Sequence, residues 1–336
     1  MTQDKWGKVM NFSISKAIGM MGKTAPFIVF RVLVYFGIAV AYVLATGTGA
    51  GLGYGIGFMG DEDFRASTTM WGGLLGFGVV GGVIYFLREY LLYMVKAGHI
   101  AVMVELLEGR DLPMGRAQID HAQRVVRDKF GEASVLFGID QLVKGVVRAI
   151  TGLIQGLASL LPIPGLNNAM QFVRAYLRVA VGLLDEVMLA HGMRTGATNP
   201  YASARDALVL YGQNAKPMLI SAAWITLITY ALAFVVFLIM LAPAALVVYL
   251  IPGAWSAGGI IFALLFAWAV KVALIEPFAI ACLLQAFFKV TEGQEPNPEW
   301  VTKLEGVSDK FVKLGQKAGS WVGIKSKAPD GAAQQA

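Results

Sequence analysis

A chain of 336 residues of which 57% are hydrophobic and only 15% charged carries more apolar side chain than a water-soluble core of that size can bury. Part of its solvent must be lipid, so the net charge of +6 is read first against the positive-inside rule, and on that reading nucleic acid is excluded as a partner. Thirty-nine glycines suit closely packed membrane helices, and the single cysteine, Cys282, excludes an intrachain disulfide and a cysteine-based metal site.

Residues 1–24 form a basic N-terminal segment with Lys5, Lys8, Lys16 and Lys23. A first membrane helix pair occupies 25–95. Its first span, 25–45, is long enough for a hydrocarbon layer of about 30 Å, and Arg31 near its start reads as a side chain snorkelling to the headgroups. The run Gly47–Gly57 contains a GxGxxG-like pattern, but it follows a membrane helix and no β-strand, which excludes a nucleotide loop. At helical spacing Gly49, Gly53 and Gly57 make a small-residue ridge, matched by Gly72/Gly76 and Gly78/Gly82 in the second span, 70–95. A re-entrant glycine-rich loop is the alternative. Asp61, Glu62 and Asp63 against Arg65 alone place the connection outside.

The region 96–216 is basic and amphipathic, with a helix continuing through 97–108 and a segment 115–130 (Arg116, Arg124, Arg127, Lys129) suited to an anionic membrane surface. Within it, Asp140, Lys144, Arg148, Thr151, Gln155 and Ser159 form a polar stripe along one helix. Leu161-Pro-Ile-Pro-Gly165 stops that helix, and Asn167, Gln171, Arg174, Arg178 and Asp185 form a second stripe, making 133–193 a helical hairpin. Antiparallel register brings Lys144 opposite Asp185. It also brings Arg148 to Arg178, which demands an anion between them or a slipped register. The hairpin either lies at the interface or crosses the membrane, giving four spans or as many as six.

After a short amphipathic helix at 199–214, a second membrane pair fills 217–290. Span three is 217–241, with Pro243 and Pro252 shaping the outer turn. Span four runs from near Ser256 to Phe288, about 50 Å of helix and too long for one upright crossing, so a bend is expected at Glu276-Pro277. The tail, 291–336, holds a capped helix around Pro298 with Trp300, Leu304, Val307, Phe311 and Leu314 on one face, which reads as a membrane-surface or partner-binding helix ahead of a disordered end. Thirteen Lys/Arg in 96–216, none in 242–256 and seven after the last apolar run place both termini in the cytoplasm, as in a bacterial inner-membrane protein.

These readings define an all-α polytopic membrane protein that meets the bilayer, and anionic headgroups in particular, and whose glycine ridges permit homo-oligomers or membrane-protein partners. His99, His121 and His191 show no ligand spacing, and no acid–base pair or cofactor motif is present, so an enzyme and a bound cofactor are not expected. The candidate solute path consists of Lys271, Glu276 and Trp268 in span four with Asp140, Lys144, Arg148, Arg174, Arg178 and Asp185 in the hairpin. Lys271 and Glu276 are intramembrane charges that need partners or water, and on an ideal helix they point about 140° apart.

Ser203-Ala-Arg-Asp-Ala-Leu-Val-Leu-Tyr-Gly-Gln-Asn214 resembles a pattern in the choline transporter-like family, where a similar Ser-Ala/basic/Asn-or-Asp/Ala/Asn spacing precedes a late membrane helix. Glu276-Pro-Phe-Ala-Ile-Ala-Cys-Leu-Leu-Gln-Ala-Phe-Phe288 is similar to that family's last helix. The likeness covers about residues 170–300. It implies a facilitator of choline or a related organic cation, held by aromatic faces such as Trp224, Tyr230 and Trp268. The alternative function is a non-catalytic scaffold or membrane-organising protein acting through its amphipathic helices.

Overall fold

The computed structural model describes residues 10–87, 92–113, 115–130, 135, 138–146, 148–149, 184–250 and 258–321. Among these the protein is all-α. Its helices are α1 (Ile14–Lys23), α2 (Ala25–Gly57), α3 (Glu62–Leu87), α4 (Tyr93–Leu107), α5 (Arg116–Phe130), α6 (Leu184–Thr195), α7 (Pro200–Gln213), α8 (Ala215–Leu250), α9 (Gly258–Val270), α10 (Glu276–Val290), α11 (Pro298–Val307) and α12 (Asp309–Gly319), with a π-helical turn at Lys271–Ile275 joining α9 to α10. A further helical stretch covers 138–146. Among the described residues four helices are long and apolar enough to cross a bilayer: α2, α3, α8 and the continuous helix built from α9, the π turn and α10.

Two of the membrane helices, α2 and α8, are longer than the apolar runs suggest. The Gly47–Gly57 stretch is part of α2, so the re-entrant loop is not formed, and α3 begins at Glu62, before the apolar run at 70, and is described to Leu87. Close approach is the reason. A Cβ on Gly49 would fall on the carbonyl of Gly72, one on Gly53 on the carbonyl of Thr68, and one on Gly76 on the carbonyl of Ala45, so α2 and α3 mesh backbone to backbone. Pro243 lies inside α8, which continues to Leu250. The helix therefore runs past the proline, because one missing N–H near the helix end leaves the last two turns intact.

The spans form a row. α3 packs on α2, α2 on α9 and α9 on α8. Tyr35, Ile38 and Ala39 of α2 meet Ala269 and Ala273, while Ala50 meets Ala244, Phe262 and Ala263 nearer the far end. Only 11% of the apolar stretch of α3 and 6% of that of α8 is buried, which leaves broad lipid-facing flanks.

At the end of the row where α2 starts and α10 finishes, α1, α4, α6, α7, α10, α11 and α12 surround one hydrophobic core. At its centre is α10, with every residue from Pro277 to Phe288 buried, Cys282 included. This explains the excess length of the fourth helix: its first half faces lipid and neighbouring spans, its second half fills a protein core. The tail is also part of that core. Ser308 ends α11 and caps α12 through its hydroxyl, and Leu304, Phe311 and Leu314 are buried, so their apolar face meets protein and not a membrane surface. α5 packs on α4 and α2 through Ala122, Val102 and Phe27. Asn199 and Asn297 cap α7 and α11 with side-chain oxygens, which fixes where those helices begin.

Gly53→Val is expected to lower the apparent melting temperature in detergent through overpacking worth about 1–3 kcal/mol. Gly51→Ala, two residues away on the opposite side of the helix with nothing within reach of its Cβ, should leave it unchanged. Equal melting of the two variants would show that α2 and α3 do not mesh along this ridge.

Candidate functional site

Buried charges concentrate where the membrane row meets the helical core. Arg31 is 1% exposed and does not snorkel. Its Nε and Nη2 donate to the Val272 carbonyl at 3.2 and 2.6 Å, Nη2 lies 3.6 Å from Glu276 Oε2, and Nη1 has no partner. The π turn at Lys271–Ile275 provides that acceptor, because widening the helix by one residue displaces carbonyls from the i→i−4 ladder. The guanidinium also sits 5.6 Å from the ring centroid of Tyr35, whose ring meets Trp268 edge-on at 5.6 Å.

A second buried group lies beside it. Lys96 of α4 donates to Asp185 Oδ2 at 2.9 Å and to Glu186 Oε1 at 2.6 Å. Burial disfavours the Lys96 charge, but the negative charges of Glu186, Asp185 and Glu276 outweigh it and hold the ammonium well above its usual range. Burial would likewise raise Asp185, yet Lys96 holds its carboxyl down at about 2. Asp140 accepts from Lys144 at 2.7 Å, one helical turn away, and Arg148 donates to the Lys144 carbonyl at 3.2 Å.

The expected pairing of Lys144 with Asp185 is therefore replaced by two others. Lys144 finds an i,i+4 partner that requires no long-range closure, and Asp185 is taken by Lys96 from another helix. Of the sequence candidates, Glu276 and Trp268 join the Arg31 site, Asp185 and Asp140 join the Lys96 site, and Lys271 is exposed, with Glu276 paired to Arg31 instead. Arg174 and Arg178, and with them the middle of the 133–193 hairpin, lie outside the described residues.

Sequence reasoning missed Lys96, Glu186, His99 and Thr24. The available signal was a single lysine and a single histidine in helix 93–107, whose one other charge is Glu105, and an adjacent Asp-Glu inside an apolar turn; such charges need partners. His99 is buried, stacks on Phe27 at 5.3 Å and lies 2.9 Å from the Thr24 hydroxyl. That hydroxyl donates to the Met20 carbonyl, so it accepts from Nε2–H of a neutral ring. Burial first, and the charge of Arg31 second, hold His99 well below its usual range.

Beyond α10 an open cleft of about 630 Å³ is lined by Lys16, Glu108, Arg194, Gln285, Phe288 and Glu292, among others. Arg194 is fixed there by Glu108 at 2.9 Å and by the Phe288 ring at 4.4 Å. Among the described residues no three His, Cys, Asp or Glu side chains are placed to hold a metal ion. No protein-family model, curated protein or solved structure matches the chain, and the geometry above carries the functional reading.

Lys96→Met leaves the buried Asp185–Glu186 pair without its cation and is expected to destabilise the protein by about 3–5 kcal/mol, read as loss of the folded peak or a steep fall in melting temperature. The buried neutral His99 binds protons more readily in the unfolded chain. Its contribution to stability is therefore lost as pH falls below about 6.5, and His99→Gln should flatten that acid limb of the melting curve. A variant as acid-sensitive as wild type would remove His99 from the account.

Proposed function

We propose that this membrane protein is a facilitator for a small organic cation, recognised where α2 meets the π turn of the fourth helix. The observation that supports it is the set of groups around Arg31: the interrupted membrane helix offers the Val272 carbonyl and the Glu276 carboxylate, and α2 offers the Tyr35 ring, met edge-on by Trp268. These are the groups that bind a quaternary or primary ammonium, and in the resting protein the Arg31 guanidinium occupies them. A solute cation would enter by displacing Arg31 from Glu276 and the Tyr35 face. The choline transporter-like resemblance at 203–214 and 276–288 points to the same ligand class. In this reading the charge-rich helical core and both termini lie in the cytoplasm of a bacterial cell, with anionic headgroups around α5, and no chemical transformation is involved.

A second reading is favoured by the row itself. Four spans with open flanks enclose no sealed polar path among the described residues, an arrangement suited to a non-catalytic scaffold that organises lipid, partners or further copies of itself.

Liposomes carrying the purified protein are expected to take up labelled choline saturably. Glu276→Gln should lower uptake at least tenfold, while Lys271→Ala, at an exposed position, leaves it within about twofold. Uptake no faster than in empty liposomes would contradict the facilitator and favour the scaffold.

A further inference from the structure

Asp140, Asp185 and Glu186 come together where helical stretch 138–146 lies against α6. Asp140 is 2% and Glu186 1% exposed, and each keeps one carboxylate oxygen, Oδ1 and Oε2, buried without a hydrogen-bond partner. A void of about 10 Å³ separates Asp140 from Asp185, and its remaining wall is aliphatic, from Val143, Met188, Leu189 and Ala204 among others. That is room for about one water and no more.

The charges do not balance. Among the described residues the junction holds four carboxylates, Asp140, Asp185, Glu186 and Glu276, against three cations, Arg31, Lys96 and Lys144, and Lys144 is half exposed. Glu186 and Asp185 face each other and Lys96 from α4, and Asp185 also faces Asp140 and Lys144 from 138–146; Glu276 from α10, paired with Arg31, acts on Lys96, and α7 adds Pro200 and Ala204 to the wall of the void. An unneutralised buried carboxylate costs several kcal/mol. A metal cation would need about six oxygen ligands, which this aliphatic pocket does not offer, whereas a proton needs one.

We propose that the junction is a proton-binding site, with one proton held at neutral pH on Glu186, which leaves Asp185 ionised against Lys96. The electrostatics agree with the geometry. Burial first and the charge of Asp185 second push Glu186 well above the usual carboxylate range against the pull of Lys96, and burial also raises Asp140 against its bond from Lys144. The site stands on these residues alone and holds whether or not the chain moves a solute.

A carboxyl whose folded pKa is raised contributes stability that is complete below its unfolded value, about 4.3, and is lost as pH rises through the folded value. The melting temperature of wild type in detergent is therefore expected to fall relative to Glu186→Gln as pH rises above that range. At neutral pH an infrared band of a protonated carboxyl should be present in wild type and absent from the folded variant. A pH-independent difference between the two, with no band sensitive to the substitution, would overturn the proposal. If Glu186→Gln does not fold, the wild-type band and its shift in Asp140→Asn decide: its absence at neutral pH overturns the site. A sodium-dependent rise in melting temperature without a protonated band would replace the proton by a metal cation and overturn it equally.

Discussion

A guanidinium shut away from water must find acceptors inside the protein, and for Arg31 the acceptor is a carbonyl that an unbroken α-helix would not release. The fourth membrane helix widens into a π turn at Lys271–Ile275, and Val272 turns its oxygen to Arg31. This contact joins α2 to the fourth helix over a sequence separation of 241 residues. It also fixes the point at which that helix changes environment. Before the turn its side chains face lipid and neighbouring spans; after it they fill the centre of a helical core.

The same contact sets the electrostatics of the junction. Arg31 pairs with Glu276, whose charge also acts on Lys96, and it adds to the burial that holds His99 low; the two carboxylates bound by Lys96 tie α4 to α6. Buried ion pairs of this kind are weak sources of net stability, because desolvation offsets their attraction, but removing one partner is costly. They therefore act as a register lock between the membrane row and the core. Glycine meshing holds the other side of the row, where α2 and α3 approach too closely for any side chain at Gly49 or Gly53.

Much of this architecture is legible in the residues. The apolar runs locate all four spans, the Gly49/Gly53/Gly57 ridge identifies its contact with α3, and Glu276-Pro277 marks the interruption, with the π turn immediately before it. What was not legible depends on partners remote in sequence. A basic residue near the start of a membrane helix has the same local pattern whether it reaches headgroups or a carbonyl hundreds of residues away, so Arg31 reads as a snorkelling side chain. Leu304, Phe311 and Leu314 make an amphipathic face, and such a face does not encode whether the apolar surface opposite is lipid or protein. Counting outward from Leu161–Gly165 matches Lys144 to Asp185, while Lys96, from outside the hairpin, supplies the real partner.

Because the chain has one cysteine and it lies in the middle of α10, the lock can be tested without introducing a probe. The measurement is the rate at which Cys282 reacts with a small maleimide in lipid nanodiscs, for wild type and for Arg31→Leu. If Arg31 holds the fourth helix in register with the core, wild-type Cys282 stays unreactive until the protein unfolds, and Arg31→Leu accelerates labelling by more than an order of magnitude, the effect of about 1.4 kcal/mol or more on opening. Prompt labelling of the native protein, or equal rates in both, would contradict the account.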